Sequence, residues 1–303
     1  RDVERSRGLG DVYKRQELSM LNKENIYKSS FSAINGNMII LSPHPLLRPY
    51  IANYTFTDPS KMHQQQTILP TISSTLVCTF QNGQFTAGLR GVNTKPTMIA
   101  DYARQFDFMF LVEFHASGLY PFLNIDQHHL ADKGFLFADL NQALYEQIAE
   151  AYYTAKTIHE LASKLDQIFL EKINQIELNP AFCIAFEKLL KSNGSVRVKD
   201  LAKETYYSEK QLNRLFMKYT GAKVKTCSRI IRMKRAVDLL HSKPEMSLLF
   251  EETGHHDYAH FIHDFIAIYG ITPKKYLEKM SLFYNDPYNC LLYTSPSPRD
   301  LST

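Results

Sequence analysis

The sequence predicts an α+β two-domain fold, with an N-terminal β-rich barrel or sandwich plus helices and a C-terminal all-α domain containing two helix-turn-helix units. Three observations support this division. Strand-like alternation dominates between Met38 and His115, helical periodicity begins after Pro121, and paired short helices follow Ser195. The length of 303 residues is about twice the ~150 residues usual for one domain.

Composition excludes several classes of protein. With 44% hydrophobic and 22% charged residues, the chain is neither mostly disordered nor membrane-spanning, and its apolar runs, such as Phe108–Val112, are far too short to cross a bilayer. No N-terminal segment has the pattern of a signal peptide. The four cysteines are widely separated, which favours a reducing cytoplasm and argues against a zinc finger or a disulfide scaffold.

The two ends of the chain share no periodicity with their neighbours. We interpret Arg1–Gln16 and Cys290–Thr303 as translated sequencing-adapter read-through, with native disordered tails as the alternative. On this interpretation residues 1–19 and the tail 282–303 lie outside the fold, and the natural chain begins near Met20.

Residues 20–120 are predicted to form the β-rich domain. Two strand-like runs flank Asn82-Gly83, a strong signal for a tight hairpin. From Phe106 to His115, aromatic residues alternate with a mixed set. This period of two directs the aromatic face inward and the mixed face either outward or into a cavity.

Residues 121–178 are predicted to be a helical linker or dimerisation region. Apolar residues recur at helical spacing over Thr157–Gln175. Asn179-Pro180 then provides the N-cap and first-turn proline of a helix that runs to Ser192 and ends at Asn193-Gly194.

A first helix-turn-helix unit is predicted over Ser195–Tyr219. Ser208 and Gln211 have the spacing of a capping box at the start of its second helix. The apolar stripe of that helix comprises Leu212, Leu215, Phe216 and Tyr219. The opposite side carries Lys210, Asn213, Arg214 and Met217. Arginine and lysine pair with guanine, and asparagine pairs with adenine, so this face suits a DNA major groove; an ordinary surface helix is the alternative.

A second unit repeats the plan over Met246–Tyr269, with a turn at Gly254 and Phe261, Phe265 and Ile268 directed inward. The helix predicted between the units, Val224–His241, is ~27 Å long and can place the two recognition helices about one DNA turn apart.

From Pro180 to Ser281 there are 18 basic and 11 acidic residues, a balance of +7, whereas residues 1–178 carry −2. This asymmetry is typical of a chain whose C-terminal part binds a polyanion.

These motifs resemble the double helix-turn-helix region of AraC/XylS-type bacterial transcription regulators. The resemblance covers Pro180–Met280 and rests on LAKETYYSEKQLNRLF and GHHDYAHFIHDFIAIYGITPKKY, in which Gly270, Thr272 and Pro273 also fall in register. The front half resembles the sensory domain of such proteins through LSPHPLLRPYIANYTF and VEFHASGLYPFL. The resemblance implies a cytoplasmic, sequence-specific regulator with a DNA-binding domain over residues 179–281.

The implied partners are double-stranded DNA, RNA polymerase, an unknown small-molecule effector and a second copy of the chain; no cofactor, metal, membrane contact or enzymatic activity is expected. By position, Lys210, Asn213 and Arg214 are predicted to read bases, and Tyr258 and His263 to make secondary contacts. The predicted positive field of the linking helix comes from Arg229, Arg232 and Lys234.

The second unit departs from the family pattern. Between Pro244 and Tyr269 it has five acidic residues and no lysine or arginine. His255 stands where the family usually has phenylalanine, and Ile262 and Ile266 are directed outward. We therefore expect weaker phosphate contact there than in the first unit. Below pH ~6.5 the histidines at 255, 256, 260 and 263 are expected to charge and strengthen binding.

Other candidate sites have simpler alternatives. His256, His260 and His263 share one helical face that is suited to a metal, but ordinary helix packing is favoured. Asp107, Glu113 and His115 are candidates for lining an effector pocket, although a solvated sheet face is the favoured interpretation. The rival function is a non-enzymatic protein-interaction module that uses the paired helical units, and an enzyme would need a catalytic cluster that the sequence lacks.

Overall fold

A computed structural model of the chain describes residues 38–59, 66–99, 105–173, 177–242, 250, 253–255 and 257–279. The predicted terminal segments and the first helix of the second unit lie outside these residues. Eight strands are described: β1 (Met38–Leu41), β2 (Ile51–Thr57), β3 (Gln66–Ile68), β4 (Thr75–Gln81), β5 (Gln84–Arg90), β6 (Thr97–Ile99), β7 (Phe108–Phe114) and β8 (Gly134–Leu136).

Six of these strands form one antiparallel sheet in the order β1-β2-β7-β4-β5-β8, and β3 pairs with β6 in a separate two-stranded sheet. The predicted hairpin is confirmed, since β4 and β5 meet at Asn82-Gly83 with φ angles of 50° and 78°. Two consecutive positive φ angles give the turn the twist that antiparallel strands need. The arrangement fits a sandwich of two sheets.

The aromatic face of the large sheet is buried as predicted. Phe56, Phe110 and Phe114 are at most 1% exposed and belong to a core that helices complete from the same side of the sheet. Tyr152 of one such helix stacks on Phe110 with 6.4 Å between ring centroids. Burial of these rings is the main stabilising contribution in this half of the molecule.

The opposite face of the sheet is also covered, which contradicts the favoured expectation of a solvated face. All seven residues of β7 are buried, and Glu113 and His115 are only 8% and 7% exposed. Met109 and Leu111 form a small apolar cluster with Val77 on this face, separate from the main core. The mixed side of the strand is therefore covered by other parts of the chain.

Four helices accompany the sheet: α1 (Tyr120–Leu123), α2 (Phe137–Leu140), α3 (Gln142–Thr154) and α4 (Ile158–Lys172). The predicted linker thus differs from the structure in two respects. Strand β8 lies within it and pairs with β5, and α3 and α4 pack on the aromatic face and share its core. Their apolar stripes need a partner surface, and the sheet is the nearest one.

The C-terminal region contains six helices among the described residues: α5 (Pro180–Lys191), α6 (Val198–Glu204), α7 (Glu209–Thr220), α8 (Val224–Ser242), α9 (Tyr258–Tyr269) and α10 (Pro273–Lys279). The predicted ends of α5 are confirmed. The Asn179 side chain accepts a hydrogen bond from Ala181 N, and Asn193 and Gly194 follow the helix with positive φ. Phe216, Phe261 and Phe265 are fully buried, as predicted.

The two regions pack against each other at the end of α7. The Tyr120 ring meets the Tyr219 ring edge-on, with 4.9 Å between centroids. Ile72 and Val92 of the β-rich region belong to the same buried cluster as the C-terminal helices. The C-terminal core therefore continues into the β-rich region.

Candidate nucleic-acid interface

The first helix-turn-helix unit consists of α6, a short turn and α7. The predicted capping box is confirmed, because the Ser208 side chain accepts from Gln211 N while the Gln211 side chain accepts from Ser208 N. This reciprocal pair satisfies two backbone donors that an α-helix leaves free at its start. Leu212 and Phe216 then fix the buried side of α7.

The buried stripe leaves Lys210 and Arg214 together on the solvent side of α7. Both side chains are exposed, and their spacing of four residues places them one turn apart on one face. Neither residue has an ion-pair partner among the described parts of the chain. The first half of α7 therefore presents two exposed cationic donors to solvent.

Asn213 lies between them in sequence but is used by the protein itself. Its Nδ2 donates to Glu209 O at 2.9 Å, and its Oδ1 accepts from Val224 N at 3.1 Å. The second bond satisfies a free backbone donor at the start of α8. The Asn213 amide, which the sequence predicted to read a base, is therefore held against the backbone of the protein itself.

The linking helix α8 keeps all three of its predicted basic residues partly buried in the protein. Arg229 Nη2 lies 3.1 Å from Asp264 Oδ1 on α9, so its guanidinium joins the two helices. Arg232 is half-buried, and desolvation lowers its pKa. Lys234 is likewise half-buried. Among the described residues from 221 to 242, the positively charged residues with exposed side chains are Lys223, Lys225 and Arg235, a different set from the predicted one.

Helix α9 of the second unit exposes Tyr258 and His263 as predicted, with Tyr258 41% accessible. Ile266, at 39%, is also exposed, whereas Ile262 is partly buried. Asp264 is directed inward, where it contacts Arg229 and lies 3.5 Å from His255 Nε2. One of the five acidic residues on which the expected weak phosphate contact rested is therefore buried and paired within the protein.

His255 behaves differently from the sequence-based expectation. It is 6% exposed, its Nδ1 lies 2.8 Å from Thr253 Oγ1, and burial lowers its pKa, with a further contribution from Arg232. His255 therefore resists protonation at pH ~6.5 instead of adding charge there.

A pH dependence of stability follows. A lowered pKa means that the unfolded chain binds the proton more readily than the folded chain. We expect His255 to favour folding fully above pH ~6.5, with this contribution declining as the pH falls further. Urea unfolding of the wild-type chain and of His255→Phe between pH 7.5 and 5 checks this. An equal pH dependence in both proteins would contradict it.

The three effector candidates are not brought together. Glu113 is buried on the covered sheet face, where its Oε2 accepts from Asn53 Nδ2 at 3.3 Å and its Oε1 lies 3.4 Å from Thr55 Oγ1. His115, also buried, follows the end of the same strand. Asp107 lies beyond the other end of β7, where it accepts from Asn82 N at the hairpin. Only Glu113 and His115 are near each other along the strand.

The suggested histidine metal site is not supported by the described residues. His260 and His263 are exposed on α9, and His256 lies outside the described part. Within the described ranges there is no group of three or more histidine, cysteine or carboxylate side chains placed to hold a metal. None of the helices in these ranges is long and apolar enough to cross a membrane.

Comparison with family models decides the class of the C-terminal region. Residues 201–279 match a model described as a helix-turn-helix domain, a range that begins within α6, includes α7, α8 and α9, and ends with α10. This region is an AraC-type helix-turn-helix domain. The AraC-type domain is the DNA-binding part of a transcription regulator. Residues 40–135, ahead of it, match a domain of unknown function (DUF6597).

Solved structures that align with about four fifths of the chain include ToxT from Vibrio cholerae. One ToxT structure is 10% identical, with 81% of this chain and 99% of that chain covered and a TM-score of 0.42. A second, bound to an unsaturated fatty acid, is 11% identical, covers 81% and 95% of the two chains and has a TM-score of 0.38. No curated protein matched the chain.

One residue of the AraC-type domain has a role that the sequence did not indicate. The Lys218 ammonium lies 5.4 Å from the centre of the Tyr120 ring and 5.5 Å from that of Tyr219, and a hydrogen bond to Tyr120 raises its pKa. It thus lies where α7 meets the β-rich region. No local pattern predicts this contact, because the partner ring is almost a hundred residues away.

Proposed function

We propose that the chain is a non-enzymatic, sequence-specific transcription regulator in which α7 reads DNA and the β-rich region binds an effector. The exposed pair of Lys210 and Arg214 on α7 supports this proposal most directly. Both side chains lie on the helix that enters the major groove in helix-turn-helix proteins, and neither is held by an ion pair among the described residues. They are free to contact guanine or phosphate oxygens.

The effector site is proposed on the covered face of the large sheet. Asn53, Thr55 and Glu113 form a buried polar group there, next to the small apolar cluster of Met109 and Leu111. A buried carboxylate with amide and hydroxyl neighbours suits a ligand that carries hydrogen-bond donors. Thermal-shift screening of polar metabolites, with Thr55→Val as the comparison, tests this site. A ligand that stabilises both proteins equally would count against it.

A continuous set of contacts supports communication between that face and α7. Thr75 pairs with Glu113 across the sheet, and the neighbouring Ser74 Oγ donates to Gln127 Oε1 at 3.4 Å. Gln127 begins the 3₁₀ turn Gln127–His129, whose backbone lies against Gly221 at the end of α7. A ligand that shifts β4 or β7 would therefore move the turn that supports α7.

Selection of duplexes from a random pool with the purified chain tests sequence-specific binding. We expect one recurring motif, bound more weakly as the salt concentration rises, because basic side chains displace counterions from DNA. Failure to enrich any sequence, combined with binding that does not depend on salt, would contradict the proposal.

Replacing Arg214 by alanine should cost about 1–3 kcal/mol of binding free energy on the selected site and relax the preference at one or two base pairs. The reason is loss of a planar donor that can pair with two guanine acceptors at once. Fluorescence anisotropy and a repeated selection measure both effects.

Two further variants separate base reading from charge. Arg214→Lys keeps the charge and loses the planar donor, so it should lose specificity but retain the salt dependence. Lys156→Ala removes an exposed charge from the loop between α3 and α4 and should leave binding unchanged. If Arg214→Ala selects the same DNA with wild-type affinity, the reading face is assigned incorrectly.

A further inference from the structure

The turns of the two helix-turn-helix units share one backbone hydrogen bond and one positive φ angle among the described residues. In the first unit Tyr207 N donates to Ala202 O at 3.1 Å, and in the second His255 N donates to Phe250 O at 2.8 Å. In each case the residue just before the donor has a positive φ, 58° at Tyr206 and 69° at Gly254. Tyr206 and Gly254 therefore occupy equivalent positions.

The two positions carry very different residues. Glycine adopts a positive φ at no steric cost, whereas a bulky side chain there crowds its own backbone. Tyr206 is strained in this way. Packing of its side chain does not offset the strain, because the residue is 97% exposed among the described residues. Neither local conformation nor packing within the chain explains a tyrosine at this position, which points to a contact outside the chain.

The surroundings of Tyr206 indicate the kind of partner. It lies two residues before Ser208, the N-cap of α7, and on the turn that joins the two helices of the unit. Lys199 and Lys203 on α6 and Lys210 on α7 are exposed near this turn in sequence. Among nearby acids, Glu204 pairs with Lys188, while Asp200 and Glu209 are exposed, so the three exposed lysines outnumber the two remaining acids by one. The local balance favours an anionic partner.

We propose that Tyr206 is a further DNA contact, in which its phenol hydroxyl donates a hydrogen bond to a phosphate oxygen beside the groove that α7 enters. This inference rests on the proposed function. In helix-turn-helix docking the first helix crosses the phosphate backbone and the start of the second enters the groove, so the turn between them lies close to the backbone. A phosphate contact positions the protein on DNA and reads no sequence.

Two variants test the contact, each measured by thermal melting and by anisotropy on the selected duplex and on an unrelated duplex. Tyr206→Gly installs the residue that the second unit already has. It should melt about 2–4 °C higher through relief of strain, yet bind both duplexes about tenfold more weakly. Tyr206→Phe keeps the strain and loses the hydroxyl, so it should melt like the wild type and lose a similar share of affinity.

The salt dependence sharpens the test. A neutral phenol displaces no counterion, so the slope of log affinity against log salt should be the same for Tyr206→Gly and the wild type, whereas Lys210→Ala should reduce it by about 0.9 if that lysine meets a phosphate. Wild-type affinity of Tyr206→Gly on both duplexes would overturn the tyrosine contact alone. A wild-type chain that binds no duplex would overturn the proposed function itself.

Discussion

Replacing Asp264 by alanine should lower the free energy of unfolding by about 2–3 kcal/mol, because it removes the only negative charge that the described contacts give to Arg229. The Arg229 side chain is 33% exposed, so water can solvate part of its charge once the carboxylate is removed. The loss of stability is therefore smaller than for a fully buried ion pair. His255 also loses the carboxylate that lies 3.5 Å from its Nε2. Helix α9 would then pack less firmly on α8.

Urea unfolding followed by far-ultraviolet circular dichroism measures this change; the chain has no tryptophan to serve as a fluorescence probe. Asp200→Asn removes a similar charge from the exposed first turn of α6 and should change stability by less than about 0.5 kcal/mol. Adding Arg229→Met to Asp264→Ala should recover part of the loss, since no charge is then left without its partner. Equal unfolding midpoints for Asp264→Ala and the wild type would contradict the assigned ion pair.

Gly221→Ala should destabilise the junction between the two regions by about 2–3 kcal/mol. Gly221 ends α7 with φ of 74°, a conformation that costs alanine about 1–2 kcal/mol. A Cβ atom there would also lie 2.9 Å from the carbonyl oxygen of Gln127, so one of the two segments must move. We expect the 3₁₀ turn at Gln127–His129 to separate from α7.

Thermal melting measures the loss, and hydrogen exchange at Gln127–His129 and along α7 locates it. Gly134→Ala is the matched control, because its φ is not positive and a Cβ at Gly134 has open space around it. That variant should melt within error of the wild type. If Gly221→Ala leaves melting and exchange unchanged, the close approach of the two regions is not present in solution.

Local features of this fold were predictable because neighbours in sequence produce them. The Asn82-Gly83 hairpin, the Asn179 cap and the capping box at Ser208 each depend on side chains within a few residues of the backbone groups that they satisfy. Strand β8 was missed because three residues, Gly134–Leu136, carry too little alternation to distinguish a strand from a loop. It is a strand because β5, which the rest of the sheet holds in place, offers it an edge with which to pair.

The candidate site was predicted only in part for a related reason. The exposed face of α7 follows from helical periodicity, so Lys210 and Arg214 were found correctly on the solvent side. Periodicity assigns a residue to a face but says nothing about its partners. Asn213 and Arg229 lie on predicted outward positions, yet each is held by another helix of the same domain.

The sequence alone indicated the Asn82-Gly83 hairpin, most of the helices and a division into a β-rich and a helical part, because short-range periodicity and capping encode these features. The class of the C-terminal domain was indicated by the resemblance of its motifs to a known family. The tertiary structure decided which polar side chains remain available to a ligand. Glu113 is enclosed on a sheet face that alternation left open to water, and Asp264 is neutralised by Arg229. Burial and ion pairing depend on residues that are distant in sequence, and only the folded chain brings those residues within a few ångströms of one another.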